Sequence, residues 1–260
     1  MKTNDEFLRK RKMRQKRIRR RRLIISMFFL LIVGIVVTVI LCLTVLFPIK
    51  TISVSGSKRY SEAQIVDMCG IETGDNLFTA SQQKCEERLR VKLPYVEKIT
   101  FRRELSGKLN IRVTDAAEYA VYTAGGKYYA ASRAGHILNE YAELPQGLLE
   151  IRVPDLVPEV GRDLALPNAK TGDLLEHLIA QAKENGLTLD RIDLTDPVNI
   201  TVKIGGRFLV NFGTENALEN KFRHLAEMIE KIAPEKTGMI NLNMWNPTKP
   251  EGTFVEKSIE

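Results

Sequence analysis

The chain has 260 residues, 44% of them hydrophobic and 27% charged, with three cysteines and a formal net charge of +7. This length allows more than one small domain, and so few cysteines exclude a small fold held together by disulfides. The charge is uneven: residues 1–22 sum to +10, so the rest of the chain sums to −3.

The first predicted segment is a basic tail, residues 1–22, which contains RKRKMRQKRIRRRR. Such a run can bind the phosphates of nucleic acids. It is followed directly by an apolar run and contains no aromatic residue that could stack on bases. The pattern therefore favours a cytoplasmic tail that faces lipid headgroups, and no nucleic-acid partner.

Residues 23–47 form an uncharged run, LIISMFFLLIVGIVVTVILCLTVLF. As a helix it would be about 37 Å long, enough to cross a hydrocarbon core of about 30 Å. The run is longer than the apolar part of a signal peptide, and no small-residue cleavage site follows it. With the Lys and Arg excess on its N-terminal side, it predicts a single transmembrane helix in the cell membrane, with the N-terminus cytoplasmic and the later domains extracytoplasmic.

The segment after the apolar run begins with FPIKTISVSG. Alternation of Ile52 and Val54 predicts a short strand, and Gly56 predicts the turn that ends it. Ser61 and Gln64 have the spacing of a capping box, which predicts the start of a helix.

A second helix is predicted in TASQQKCEERLRVKLP, with Thr79 as its cap and Pro94 as its end. VEKITFRRELSGKLNIRVTD then predicts a β-hairpin. This β-α-α-β-β order in residues 48–117 predicts a sheet that two helices cover on one face. Cys69 and Cys85 lie at apolar helix positions; a disulfide between them is one alternative, but the pattern favours two buried free thiols.

This order of elements resembles a POTRA domain. A POTRA-like domain that follows a basic tail and a single apolar span resembles the FtsQ/DivIB family of bacterial cell-division proteins. The chain departs from the family after the last POTRA strand, where a basic residue and a proline are usual and this sequence has TDAAEY, Thr114–Tyr119.

Residues 118–245 are predicted to form a mixed α/β domain, similar to the family's β domain, with an antiparallel sheet that ends in an open edge. KYYAASRAGHILNEY predicts two short strands around an Ala-Gly turn. Apolar stripes predict helices at about 169–185 and from Leu218 onward. LTLDRIDLT, NITVKIGGRFLVNF and MINLNMW predict further strands, so the fold class of the chain is α+β.

Residues 246–260 are predicted to be a polar C-terminal tail with a β-prone island, TFV. The resemblance implies that the family's last strands form an open edge, which receives a strand from a small bitopic protein of the FtsB/DivIC type. Alternatives are that Trp245 caps its own core and that the island is disordered. Carried over to this sequence, the implied partner-binding residues are Met244, Trp245, Thr253, Phe254 and Val255.

The resemblance implies a non-catalytic divisome scaffold at the division septum. It would bind bitopic proteins of the FtsL and FtsB/DivIC types and help to recruit or regulate the machinery of septal peptidoglycan synthesis. A POTRA chaperone module in protein translocation is the alternative, although that function would be expected with repeated POTRA units or an attached barrel.

A serine acyl enzyme is a further alternative, because Ser81-Gln-Gln-Lys84 and Lys236-Thr237-Gly238 match motifs of penicillin-binding proteins. A match to S-x-x-K is expected by chance, and no S-x-N element lies between the two motifs. The three histidines are scattered, and there is no phosphate-binding loop. We therefore predict no cofactor, no metal and no small-molecule substrate.

Overall fold

The computed structural model describes residues 22–38, 40–41, 47–246, 248 and 251–258. Most of the predicted basic tail therefore lies outside the described residues, as do residues 39 and 42–46 of the predicted transmembrane run. Residues 22–38 are helical, and their large apolar side chains are exposed. Among the described residues, no helix has the combination of length and apolar character that a membrane crossing requires.

The first domain is a three-stranded sheet with two helices. Strand β3 lies in the centre, with β1 parallel to it on one side and β2 antiparallel on the other. The apolar stripes of both helices pack on the inward residues of the sheet, so the core lies between the two layers. The elements are β1 (Thr51–Ser55), α1 (Glu62–Cys69), α2 (Gln82–Lys92), β2 (Val96–Glu104) and β3 (Lys108–Asp115).

The sequence predicted the N-cap of one POTRA helix correctly and that of the other incorrectly. The predicted capping box of α1 is confirmed: Ser61 accepts from the Gln64 N–H, and the Gln64 side chain accepts from the Ser61 N–H. The predicted cap of α2 was wrong. Ser81, not Thr79, accepts from the first turn, because the helix begins only at Gln82 and Thr79 belongs to the preceding turn, where its N–H donates to the Asn76 side chain.

The two cysteines of the first domain are joined. Cys69 at the end of α1 and Cys85 in α2 form a disulfide, with their Cα atoms 4.5 Å apart. The expectation of two buried free thiols was therefore wrong, although both residues are buried as their apolar positions predicted. The pattern placed each cysteine on an inward helix face, but it could not show that those two faces meet.

The second domain is a nine-stranded sheet with two helices. Its strand order is β12-β11-β10-β9-β8-β7-β4-β5-β6, which leaves β12 at one edge and β6 at the other. The elements are β4 (Glu118–Ala124), β5 (Lys127–Ser132), β6 (Ile137–Tyr141), β7 (Leu149–Arg152), α3 (Ala169–Glu184), β8 (Leu189–Asp193), β9 (Ile200–Ile204), β10 (Phe208–Gly213), α4 (Leu218–Lys231), β11 (Gly238–Asn241) and β12 (Thr253–Glu256).

This sheet is mixed, so the prediction of an antiparallel sheet was wrong in that respect. The pairs β4–β7, β7–β8 and β10–β11 are parallel. Helix α3 connects β7 to β8 and α4 connects β10 to β11, and a helical crossover returns the chain in the same direction. The apolar stripes of both helices pack on one face of the sheet, where Phe222 lies 4.6 Å from Phe212 between ring centroids.

A short junction joins the two domains. Only residues 116–117 separate β3 from β4, and Ala116 is buried with Tyr95 of the first domain and Leu138 of β6. The hydroxyls of Tyr95 and Tyr141 both donate to the Glu118 carboxylate, the second at 2.8 Å. Ala116 thus lies inside a small core between side chains of both domains, and Ala117 is exposed.

A second contact holds the domains together beside the linker. Arg90 at the end of α2 forms an ion pair of 2.7 Å with Asp163, which also contacts the Nδ1 of His136 at 2.8 Å. A Cβ at Gly161 would lie 2.5 Å from the Val91 carbonyl oxygen, so the two backbones touch there. These contacts fix how the second domain sits on the end of α2.

Candidate partner-binding edge

Strand β12 forms one edge of the large sheet. It pairs antiparallel with β11, from Gly238 opposite Glu256 to Asn241 opposite Thr253. Beyond the ladder, the Lys236 ammonium contacts the Glu256 carboxylate at 3.0 Å. Strand order gives β12 no second neighbour within the described part of the chain, so one side of its backbone is open.

The direction of the backbone groups follows from the ladder. The Lys257 N–H donates to the Thr237 carbonyl at 3.2 Å, so Lys257 directs its backbone toward β11. Along an antiparallel strand this direction alternates from residue to residue. The groups of Val255 therefore also face β11, whereas the N–H and C=O groups of Phe254 and Glu256 face away from it.

The bonds of β11 on its other side agree with this assignment. Gly238 donates to the Arg207 carbonyl at 3.0 Å, and Leu242 donates to the Asn211 carbonyl at 2.8 Å. Even-numbered residues near β11 therefore direct their backbone groups toward β10, which leaves the odd-numbered ones for β12. A guest strand at this edge would bond to Phe254 and Glu256.

The glycines at this edge allow β12 to lie very close to its neighbours. A Cβ on Gly238 would meet the Val255 carbonyl oxygen at 2.3 Å and the Phe254 ring at 2.7 Å. A Cβ on Gly252 would meet the Met228 sulfur at 2.6 Å. Because real Cβ atoms do not approach backbone atoms so closely, Gly238 requires glycine for β12 to occupy its place, whereas at Gly252 the Met228 side chain would have to move.

The structure divides the five predicted partner-binding residues into two groups. Phe254 and Trp245 turn inward and pack on the core of the second domain, and the Phe254 ring lies 6.1 Å from that of Phe208. Val255 and Met244 remain exposed, at 59% and 85% of their surface. Thr253 is exposed as well. The inward pair supports the edge, and the exposed residues are those that a guest would touch.

Trp245 carries an unusual polar atom. Its indole Nε1 is buried and has no hydrogen-bond partner among the described residues. Leaving such a donor unsatisfied costs about 1–3 kcal/mol. Because its ring packs on the core of the second domain, Trp245 fits the alternative in which it caps its own core. This role does not conflict with its place beside the edge.

Sequence reasoning missed an apolar row on the outward face of the sheet. Leu209, Met239 and Val255 occupy paired positions on β10, β11 and β12, so their side chains share the face opposite Phe254. Met239 and Val255 are exposed, and Leu209 is partly buried. The alternation of MINLN could have indicated this row, since Met239 points to the face opposite the buried Ile240 and Leu242.

The same outward face carries a buried carboxylate further along the sheet. Glu150 of β7 is only 2% exposed and accepts from the Nε atoms of Arg191 at 2.6 Å and Arg152 at 2.7 Å. Burial alone would raise the pKa of Glu150, but hydrogen bonds and charge from the two arginines outweigh it and hold the pKa below its usual value. The bond from Arg191 to Glu150 thus links β8 to β7 on the outward face of the sheet.

Comparison with known proteins identifies the first domain. The family profile described as "POTRA domain, FtsQ-type" matches residues 47–115. "Cell division protein DivIB" of Clostridium acetobutylicum is 24% identical over 208 residues, which cover 78% of this chain and 82% of the relative. Residues 47–115 thus match an FtsQ-type POTRA domain, and most of the chain is similar to proteins of the FtsQ/DivIB family.

Two other FtsQ/DivIB proteins extend the comparison. "Cell division protein DivIB" of Listeria monocytogenes is 23% identical over 211 residues, or 78% of this chain and 72% of the relative. "Cell division protein FtsQ" of a Geobacter species is 33% identical over 86 residues, or 33% of this chain and 31% of the relative. The first alignment extends well beyond the POTRA domain, so the resemblance drawn from the order of elements is confirmed.

The POTRA residues named from sequence begin the domain. Ile52 and Val54 of β1 are partly buried and pack on the domain's core. Gly56 has a φ of +102°, and a Cβ there would lie 2.2 Å from the Val113 carbonyl oxygen of β3. The predicted turn therefore requires glycine both for its backbone angle and for the close approach of β3.

The motifs that suggested an acyl enzyme have structural roles in this chain. Ser81 accepts from the Lys84 N–H as the cap of α2 in the POTRA domain. Lys236 pairs with Glu256, and Thr237 donates to the Lys257 carbonyl, so the K-T-G motif holds the end of β12. Ser81 and Lys236 belong to different domains, and the described structure shows no contact between them.

Proposed function

We propose that the chain is a non-catalytic divisome scaffold whose open β12 edge receives a strand from a small bitopic division protein of the FtsB/DivIC type. It also holds an FtsL-type protein and thereby helps to recruit or regulate septal peptidoglycan synthesis. One observation carries the proposal: the backbone groups of Phe254 and Glu256 face away from β11, at the end of a nine-stranded sheet. A guest strand would extend the sheet by β-augmentation.

The side chains around this edge support the same proposal. The outward row of Leu209, Met239 and Val255 continues to the rim of the sheet, where alternate residues of a guest strand could pack on it. Met244 and Thr253 are exposed beside the row. Backbone pairing supplies affinity at such an edge, and the apolar row selects the guest.

The domain organisation forms part of the proposal. Residues 1–22 are a cytoplasmic tail, 23–47 the membrane anchor, 48–117 the POTRA-like domain, 118–245 the β domain and 246–260 the C-terminal tail. The uncharged run and the basic tail before it support an anchor at the division septum with the domains extracytoplasmic. Within the tail, Thr253–Glu256 completes the sheet of the domain before it.

The test changes Glu256 to proline. Proline removes the N–H that faces a guest strand but leaves the bonds between β12 and β11, and edge strands tolerate proline at such positions. The variant should bind a purified FtsB/DivIC-type partner about tenfold more weakly than the parent chain, because at least one guest hydrogen bond is lost. Binding is measured by calorimetry with the full chain in detergent or nanodiscs.

The matched control is Glu256→Ala, which also loses the ion pair with Lys236 but retains the N–H. It should bind within about twofold of the parent, because an exposed ion pair contributes about 0–1 kcal/mol. Equal affinity of the proline and alanine variants, with unchanged melting temperatures, would count against strand addition at β12.

A further inference from the structure

Two loops of the POTRA domain meet beside the point where the apolar run ends. The loop 74–79 and the β2–β3 turn, residues 104–107, both bond to the segment Phe47–Lys50, and we call these three segments the base surface. The Leu77 N–H donates to the Phe47 carbonyl at 2.9 Å, and the Lys50 N–H donates to the Gly107 carbonyl at 2.7 Å. The base surface is therefore a fixed part of the fold and encloses the chain as it leaves the run.

Arg103 ties the two loops to each other. Its guanidinium donates from Nε to the Leu77 carbonyl at 2.9 Å and from NH2 to the Ala80 carbonyl at 2.7 Å. A Cβ on Gly107 would lie 2.8 Å from the Pro48 carbonyl oxygen, so the turn is pressed against the entering chain. Side chains on either loop thus keep a constant position relative to Phe47.

Each loop presents a large apolar side chain to solvent. Phe78 is 47% exposed, with its ring edge-on to that of Phe47 at 5.3 Å between centroids, and Leu105 is 73% exposed at the tip of the turn. Turn tips ordinarily carry polar residues. Two such side chains, on separate loops around one chain entry, form an apolar rim that the core of the domain does not use.

Two lysines flank the turn of the base surface. Lys50 and Lys108 are exposed beside the turn. Of the acidic groups nearby, Glu104 accepts from the Asn110 amide at 2.9 Å, and Asp75 accepts from the Glu72 N–H at 2.9 Å. These hydrogen bonds leave both carboxylates charged, so the two lysines offset them and the contact with a partner depends on the apolar rim.

We propose that the base surface rests on the lipid surface of the membrane, with Phe78 and Leu105 inserted at the boundary of headgroups and acyl chains. The inference rests on the proposed membrane anchor, because the uncharged run ends at Phe47 within the base surface. Apolar side chains flanked by lysines at the end of a span have the chemistry of an interfacial contact, in which side chains enter about 5–10 Å. A protein partner would have to displace the bilayer from the same place.

The proposal assigns a second role to the POTRA domain, that of a support on the membrane, and we call the base surface in contact with lipid the seat. Strand β3 begins at the base surface with Lys108 and ends at the domain junction with Asp115. Eight residues of strand span about 26 Å, so the seat and the junction are at opposite ends of the domain. Contact of the base surface with lipid would hold the second domain, and its β12 edge, away from the membrane.

The test places a fluorescent probe at each apolar position. Leu105→Trp and, separately, Phe78→Trp are prepared in the full chain and reconstituted into vesicles that contain anionic lipid and lipids brominated near the headgroup. The signal of the parent chain, which contains Trp245, is subtracted. Both probes should be quenched about twofold or more relative to vesicles without bromine, as expected for side chains at the interface.

The matched control is Val157→Trp in the second domain, where the side chain is 91% exposed. It should show little quenching, because the junction holds that domain at the far end of β3. If Leu105→Trp and Phe78→Trp are quenched no more than Val157→Trp while the chain resists extraction by alkali, the lipid contact is wrong although the anchor stands.

The remaining outcome is that alkali extracts the parent chain from the vesicles. That result would mean that residues 23–47 do not anchor the chain, which overturns the proposed anchor and the seat together. Strand addition at β12, tested in detergent with Glu256→Pro, would remain independent of this outcome.

Discussion

At the scale of single residues, the fold depends on buried polar groups that need a partner and on glycines that no larger residue can replace. Glu150 is the clearest polar example, since a buried carboxylate is stable only when it is fully paired. Arg152 and Arg191 supply that pairing and remain partly exposed themselves. The surface of the sheet can thus be polar while its strands stay in register.

Changing Glu150 to glutamine should lower the free energy of unfolding by about 1–3 kcal/mol at pH 7, because two arginines lose their carboxylate. The folded-state pKa of Glu150 is below its usual value. Its stabilisation is therefore present above the unfolded-state pKa of about 4.3 and is lost as the pH falls through the folded-state value. Denaturant unfolding at several pH values should show the parent and variant converging as the pH falls below about 4.3. A difference that stays constant would contradict this role.

At the scale of elements, sequence patterns located most helices and strands but not all of them. The stripes of α3 and α4 and the hairpin of β9 and β10 were predicted because their periodicity is local. Strands β4 and β7 were missed: no element was assigned to EYAVYTA, which overlaps the end of the atypical TDAAEY segment, and LEIR is too short to show a period. Parallel pairing was missed for a related reason, since it depends on which distant strands meet.

The candidate edge was predictable only in part. The TFV island has strong β propensity, so its strand could be anticipated from sequence together with the family resemblance. The division of its residues between core and solvent could not, because it depends on the register with β11. Phe254 opposite the buried Ile240 turns inward, and Val255 opposite the exposed Met239 turns outward.

Gly238 provides a test of how β12 is held. Gly238→Ala should separate β12 from β11, because the new Cβ would clash with the Val255 carbonyl. Hydrogen exchange at the Lys257 N–H, which bonds to Thr237, should become about tenfold faster or more. The control is Gly172→Ala in α3, where the nearest atom would be 3.4 Å from the Cβ and alanine favours the helix. Unchanged exchange in Gly238→Ala would refute the close approach.

At the scale of the whole molecule, the two domains behave as one unit because their junction is packed and polar at once. The core around Ala116 and the cluster of Arg90, Asp163 and His136 lie on neighbouring parts of the interface. A linker of two residues could act as a hinge, but here these two groups of contacts between the domains oppose such motion. The orientation of the β12 edge relative to the POTRA domain is therefore set by these contacts.

Gly161→Ala should loosen this junction, because its Cβ would lie 2.5 Å from the Val91 carbonyl oxygen. Nuclear Overhauser contacts between His136 and Arg90 should weaken or disappear, with each domain still folded. Gly135→Ala is the control: it has nearly the same positive φ, +82° against +83°, but its Cβ would meet only Leu164 at 4.0 Å. Equal loss of contacts in both variants would assign the effect to backbone strain and not to the interface.

The parallel pairing of β1 with β3 has a mechanical consequence. In a chain tethered before Phe47 and pulled through its second domain, tension enters β1 at Thr51 and leaves β3 at Asp115. The two strands are then drawn in opposite directions along their length, so every hydrogen bond between them is sheared at the same moment instead of being unzipped one by one. The POTRA domain is thus built to resist stretching between its first strand and the second domain.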